Sequence, residues 1–373
     1  MDDADGGYVN HTDMLVLDSH CDAPSQMMRA RDFTKDNPWG QVDFPKLRAG
    51  GVDASVFALY NGKELAPDEA TRYTLDMLSH LYDQVDAADG EVELAFTADE
   101  VKENKETGLL SILISMENGA PIQNSLAMLR MFFRMGVVAM TLTHNGDNQI
   151  CDSCAGKHTW GGLSPFGREV VAEMNRLGMV IDIAHCSDDV VRDCLALSKA
   201  PIVSTHSCCR ALALHPRNLT DDLLKAIADK GGVVQINFCP AFLRDDYVEM
   251  MNSTGAGDRA DAAEAEFIAA PTDPEKVAAW VKAQAELEAM PRPGIADVAD
   301  HIDHAVRIMG IDHVGVGTDF DGILVGPAGL ENVSKLPALW EELRSRGYSS
   351  SDISKIAGGN FLRVLSEVQS MAE

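Results

Sequence analysis

The chain of 373 residues is long enough to bury a large core without disulfide staples, and it suits one α/β barrel better than two full domains. Apolar residues make up 46% and charged residues 24%, which excludes disorder, collagen-like repeats and coiled coil as the main architecture. The 58 acidic side chains outnumber 31 basic ones, and a net charge of −27 repels nucleic acid and anionic lipid, so neither is expected as a partner.

The opening stretch, 1–13 (MDDADGGYVNHTD), is acidic and polar, the opposite of a secretion leader. No run of about 18 apolar residues offers a transmembrane helix. A cytoplasmic location without membrane contact is therefore the expectation, unless processing has removed a leader. The eight cysteines are then expected as free thiols, and Cys151-x-x-Cys154 has no second pair at zinc-ribbon spacing.

Short apolar runs then alternate with amphipathic stretches. The first run, 14–19 (MLVLDS), leads into His20-Cys21-Asp22. Residues two apart on a strand point the same way, so His20 and Asp22 can face one ion while Cys21 faces away. A second run covers 52–59 (VDASVFAL). The third, 109–115 (LLSILIS), is followed by Glu117, and the fourth, 137–143 (VVAMTLT), by His144. The fifth, 179–184 (MVIDIA), runs into His185, and the sixth, 201–205 (PIVST), into His206. The seventh is 232–238 (GVVQINF), and the eighth, 313–318 (HVGVGT), precedes Asp319. Continuous apolar character suits parallel strands covered on both faces.

Helical patterns fill the intervals. They cover 165–177 after an N-cap Ser164, 188–198 after Ser187, 220–230 from Thr220 to the Gly231-Gly232 stop, 295–309 before Gly310, and 336–346 before Gly347. Strands alternating with helices in this way predict a (β/α)8 barrel of the TIM type. An open doubly wound sheet is the competitor, but no GxGxxG or Walker sequence follows the first strand. One segment, 239–294, breaks the rhythm between the seventh and eighth strands. Its acidic, Ala-rich middle (GAGDRADAAEAE) reads either as a helical insertion forming a lid over the barrel mouth or as a solvated surface helix.

In a parallel barrel, functional groups gather at the C-terminal ends of the strands. An isolated HxD is common by chance, and any one of these histidines alone reads as a core or rim residue. Taken together, His20, Asp22, Glu117, His144, His185, His206 and Asp319, each at a strand end, point to a metal site. Imidazole and carboxylate donors without an obligatory thiolate favour Zn²⁺, with Mn²⁺, Co²⁺ or Fe²⁺ as alternatives. The set exceeds one tetrahedral ion and suits a pair bridged by a carboxylate. Such a pair clamps a hydroxide, lowers the pKa of its parent water and polarises a carbonyl.

The motifs DSHCDAP, SMENG, LTHNGDN, GLSPFGREVVAEMNRLGMVIDIAH, STHS, RNLTDD, GVGTDFDG and GGNFLRV, spread from Asp18 to Val364, resemble the membrane dipeptidase (renal dipeptidase) family of the amidohydrolase superfamily. The resemblance implies a single metal-dependent hydrolase barrel over 1–373 that cleaves dipeptides, including L-Xaa-D-Xaa, with two Zn²⁺ and a metal-bridging hydroxide. It implies that His20 and Asp22 bind the first ion, Glu117 bridges both, and His185 and His206 bind the second. Asp319 would hold the bridging water and carry its proton to the leaving amine, and His144 would stabilise the oxyanion. Arg217, in HPRN, would pair with the substrate's C-terminal carboxylate; read alone, it could equally be a surface ion-pair partner. A homodimer is a further implication.

The sequence departs from the mammalian pattern at the pocket rim. Ser25 follows Ala23-Pro24 where the mammalian enzymes carry Trp, Cys239 follows Asn237-Phe238 where they carry Tyr, and the segment after Cys239 has no mammalian counterpart. With neither leader nor anchor signal expected, the resemblance is to the soluble bacterial members. Two rival readings are an amidohydrolase of the same fold acting on N-acyl amino acids, and a metal-binding barrel without catalysis. Asp182 could orient a ligand or be a buried structural carboxylate; Asp321 reads as a supporting or loop carboxylate, and Asn145, Asp147 and Asn148 as loop formers. Cys208 could face the metal, whereas His158, His215, His301, His304 and His313 read as structural or surface residues.

Overall fold

A computed structural model of the chain describes residues 14–29, 31–62 and 65–373. The acidic stretch 1–13, on which the reading of an absent leader rests, lies outside the described residues. All eight apolar runs form strands: β1 (Leu17–Cys21), β2 (Ala54–Tyr60), β4 (Leu110–Glu117), β5 (Val137–Thr141), β6 (Val180–Asp182), β7 (Val203–Ser204), β8 (Val233–Ile236) and β9 (Val314–Val316). A short β3 (Val92–Leu94) joins them. Every pairing is parallel, in the order β1-β2-β4-β5-β6-β7-β8-β9. The circle closes where Cys21 bridges Phe320, with Asp319 N donating to the His20 carbonyl at 3.0 Å and Asp22 N to the Phe320 carbonyl at 2.9 Å. The barrel is of the (β/α)8 TIM type, and the open-sheet alternative is set aside.

β3 lies beside Leu110–Ile112, the first residues of β4, on the edge that β5 takes from Ile114 onward. Its three residues are too short to carry a period. Apart from β3 and the last residue of β2, the strands are buried along their length, and all eight residues of β4 are, as sheets covered on both faces require. At the base, the C-terminal helix Asn360–Ser370 packs Phe361, Val364, Leu365 and Val368 into one cluster with Leu17, Val56, Leu113, Ala139 and Val180. That helix seals the N-terminal end and leaves the opposite end for chemistry.

Local rules place the outer helices. Pro165–Leu177 starts where Ser164 Oγ accepts from Gly167 N at 2.9 Å, and it stops at Gly178, whose φ of 73° is left-handed. Ile295–Met309 has the expected bounds. Asp188–Leu197, Asp221–Asp229 and Leu336–Ser345 differ from expectation by one residue at their ends, the usual fraying range.

The segment 239–294 is helical, with Pro240–Leu243, Asp245–Thr254, Ala256–Ala269 and Pro274–Glu288 in succession. Ala256, Ala260 and Leu287 pack on Val325 beyond β9. Phe267 packs edge-on against Trp39, which lies between β1 and β2, with ring centres 5.2 Å apart. Both anchors belong to loops leaving the C-terminal ends of strands, so the segment sits on that face of the barrel. Among the described residues, no helix is long and apolar enough to cross a membrane.

Candidate metal centre

The strand ends converge. β4 delivers Glu117 as its last residue, and the carboxylate divides its contacts between two groups. Oε2 lies 3.5 Å from His20 Nε2, whereas Oε1 lies 3.0 Å from His185 Nε2, 3.7 Å from His206 Nε2 and 3.8 Å from His144 Nε2. His20 Nε2 is also 3.7 Å from Asp22 Oδ2 and 3.9 Å from Asp319 Oδ1. Three overlapping sets can hold cations: His20 with Asp22 and Glu117, Glu117 with His144 and His185, and His20 with His206 and Asp319, each with its donor atoms within 4.8 Å of one another.

The backbone bends to make this possible. Ser19 Oγ reaches the carbonyls of Thr205 (2.9 Å) and Val316 (3.1 Å), while the next residue, His20, stacks on His206 with ring centres 3.8 Å apart. Two consecutive residues facing inward break simple alternation. The register irregularity between Asp18 and Cys21 permits it. Cys21 turns the other way, with Sγ 3.5 Å from Ser55 Oγ on β2. His185 and Asp319 adopt left-handed φ values of 64° and 61°, a conformation costing on the order of 1 kcal/mol each that the surrounding packing must hold. Gly322 leaves room for the carboxylates: a Cβ there would stand 1.9 Å from Asp22 Oδ2 and 2.8 Å from Asp319 Oδ1.

Hydrogen bonds around the centre set its protons. His185 Nδ1 donates to Asn145 Oδ1 at 3.0 Å. Thr205 Oγ1 gives its only proton to Asp182 Oδ2 (2.6 Å), so it accepts from His206 Nδ1 (2.8 Å). Asp182 is held by further donations from Thr141 Oγ1 (2.5 Å), Ala184 N (3.0 Å) and Thr205 N (2.9 Å). Both imidazoles therefore turn unprotonated Nε2 atoms toward each other, 2.9 Å apart. Two lone pairs at that distance repel unless a cation draws on them. Burial, reinforced by Arg217 and the neighbouring imidazoles, holds both histidines well below the ordinary imidazole value, in the neutral form that ligates metal.

On the other side of Glu117 the balance reverses. Burial opposes charge on His20, but Glu117 and Asp22 outweigh it and hold the imidazole well above its ordinary value. Burial and the Glu117 charge push Asp22 up to about 6. Burial also raises Asp319 to about 6, with His20 opposing and Asp22 adding. Both ring nitrogens of His20 and Oδ1 of Asp22 are buried without a hydrogen-bond partner. Crowded carboxylates and orphaned imidazole nitrogens are what a divalent cation resolves. The donor set fits metal.

Arg217, 5% exposed, stands at the same rim. Its guanidinium donates to the His206 carbonyl (2.9 Å) and to Ser207 Oγ (3.2 Å), and Nε has no partner. It is a buried residue beside the centre, so the surface ion-pair reading fails. Asn237 Nδ2 donates to Asp319 Oδ2 at 2.8 Å, and the Tyr60 ring meets the His144 ring edge-on at 4.8 Å. Neither residue has a role legible in the sequence, because an Asn just past a strand or a Tyr at a strand end has no spacing signature. Thr205 and Gly322 were missed for the same reason, although both lie inside quoted motifs.

Other candidates fall away from the centre. Asp321 binds Arg31 Nη1 (2.8 Å) and Gln41 N (2.7 Å), a loop anchor. Cys208 Sγ donates to the Asn237 carbonyl at 3.2 Å. His301 Nδ1 accepts from Cys209 N at 3.0 Å, and His304 pairs with Asp221 at 2.7 Å. Asp147 ties its loop together through Ser153 N, Lys157 N and Thr159. All eight cysteines are free.

Comparison with known proteins agrees with this geometry. The family model for membrane dipeptidase, peptidase family M19, matches residues 10–373. The dipeptidase aclJ of Aspergillus oryzae is 34% identical over 93% of this chain and 75% of its own length. The crystal structure of the probable dipeptidase PvdM from Pseudomonas aeruginosa superimposes with a TM-score of 0.83, at 30% identity over 97% of each chain. A metallopeptidase from Rhodobacter sphaeroides, solved with a phosphinate mimic of the dipeptide L-Ala-D-Ala, gives a TM-score of 0.79 at 27% identity, covering 95% of this chain and 99% of that one.

Proposed function

The chain belongs to the membrane dipeptidase family, peptidase family M19, and from that premise we propose that it is a binuclear zinc dipeptidase that accepts L-Xaa-D-Xaa substrates. The observation that carries the proposal is the divided Glu117 carboxylate, with one oxygen toward His20 and the other toward His185 and His206. His20 and Asp22 would hold one cation, His185 and His206 the second, and Glu117 both. Such a pair supplies a water of lowered pKa and a polarised carbonyl.

The remaining steps belong to side chains. Asp319, steadied by Asn237, takes the proton of the attacking water and returns it to the leaving amine. His144 donates toward the oxygen that becomes negative in the tetrahedral state. Arg217 holds the substrate's free carboxylate with the N–H groups left over from His206 and Ser207. The relative bound to an L-Ala-D-Ala mimic supports a D-residue at the C-terminal position. Steady-state kinetics on L-Xaa-D-Xaa dipeptides against N-acyl amino acids tests the reading. Dipeptides should be turned over with the higher kcat/KM; equal or better turnover of the N-acyl set would replace it with the amidohydrolase reading.

A further inference from the structure

A cavity of about 180 Å³ opens between the start of the segment after β8 and the loop after β9. Cys239, Ala241, Tyr247, Met251, Leu324 and Val325 line it, and the surface they present to it is apolar. Both chain segments that form it run on from residues of the metal centre. Cys239 N donates to Asn237 Oδ1 at 2.5 Å, and the same Asn237 side chain holds Asp319. On the other side, the wall residue Ile323 directly follows Gly322, where a Cβ would press on Asp22 and Asp319. The one-turn helix Pro240–Leu243 links the cavity to Arg217, because Phe242 on that helix lies under the guanidinium, 5.4 Å from Cζ to the ring centre.

We propose that this cavity is the side-chain subsite for the C-terminal residue of the substrate, and that it selects aliphatic or aromatic side chains. The inference rests on the dipeptidase reading. Cys239, in the cavity wall, feels the charges of both Asp319 and Arg217, so a residue held by its carboxylate on Arg217 and its nitrogen at Asp319 would present its side chain toward that wall. An apolar side chain leaves water for an apolar wall, whereas a carboxylate or ammonium would be desolvated there without a partner. The segment after β8 thereby acts on specificity: Ala241, Tyr247 and Met251 all come from it.

The test compares kcat/KM for L-Ala-Xaa dipeptides with Gly, Leu, Met, Phe, Asp or Lys at the C-terminal position, in both configurations where they exist. Leu, Met or Phe should exceed Gly by about tenfold or more in at least one configuration, and Asp and Lys should fall below Gly. Met251→Asp, which makes the wall polar, and Ala241→Phe, which fills the space, should each bring the Leu-to-Gly ratio to within about threefold, with metal content near that of the wild type. Two different changes with one outcome, in chains that keep their metal, separate the subsite from misfolding. Dipeptide turnover indifferent to the side chain, or ratios unchanged in both variants, would overturn the subsite alone. Absence of any dipeptide hydrolysis by metal-loaded enzyme would overturn the dipeptidase reading and the subsite with it.

Discussion

Asp319 and Thr205 show how single residues divide the work. Asp319 lies 3.9 Å from the nearest His20 nitrogen, while Glu117 is enclosed by four imidazoles. Asp319→Asn should therefore keep metal content near that of the wild type and lower kcat by about 10² to 10⁴, the range for removing a general acid–base group. Unchanged turnover in that variant would remove Asp319 from the proton path. Thr205 acts through His206: it accepts the Nδ1 proton and passes the hydrogen-bond chain to Asp182. Thr205→Val should weaken metal affinity by about 10- to 100-fold, measured by chelator competition, and Thr205→Ser should restore it. Equal affinity in the Val variant would show that the chain does not set the imidazole. The candidate ligand residues were legible because imidazole and carboxylate at successive strand ends are rare together. Thr205, Asn237 and Gly322 were not, because their roles exist only through contacts between strands distant in sequence.

At the scale of elements, each long apolar run became a strand, while β3 escaped because three residues carry no pattern. The register irregularity in β1 was equally hidden: His20 and Asp22 do lie together, 3.7 Å apart, but with Asp22 already past the strand, and alternation does not foresee Ser19 and His20 turning inward in succession. The helices outside the barrel are tied by polar contacts whose pH dependence can be worked out. Glu173, on Pro165–Leu177, meets Arg176 of its own helix and Arg130 of the helix Leu126–Arg134, each at 2.6 Å. Arg176 first, opposed by burial and helped by Arg130, holds the Glu173 carboxyl down at about 2, against an ordinary value of 4.5. A carboxyl held lower in the folded than in the unfolded chain contributes stability above the ordinary value and loses it as pH falls toward the folded one. Glu173→Gln should therefore destabilise the protein at pH 7, and the gap from wild type in urea melts should shrink between pH 4.5 and about 2. A gap independent of pH would assign the loss to packing.

For the molecule as a whole, closing the barrel gathers into one site residues from His20 to Asp319, nearly the full span of the chain. Neighbours in that site come from strands far apart in sequence, so it exists only when the barrel is closed. Metal held there binds the native state alone and stabilises it by mass action. The most direct measurement is an anomalous-scattering map from crystals of the zinc-loaded protein, paired with metal analysis of Glu117→Ala. The account predicts two peaks, one on each side of the Glu117 carboxylate, about two equivalents of zinc per wild-type chain, and loss of both in the variant. A dipeptidase-active crystal with no peak beside Glu117, or a Glu117→Ala chain that keeps its full metal complement, would contradict it.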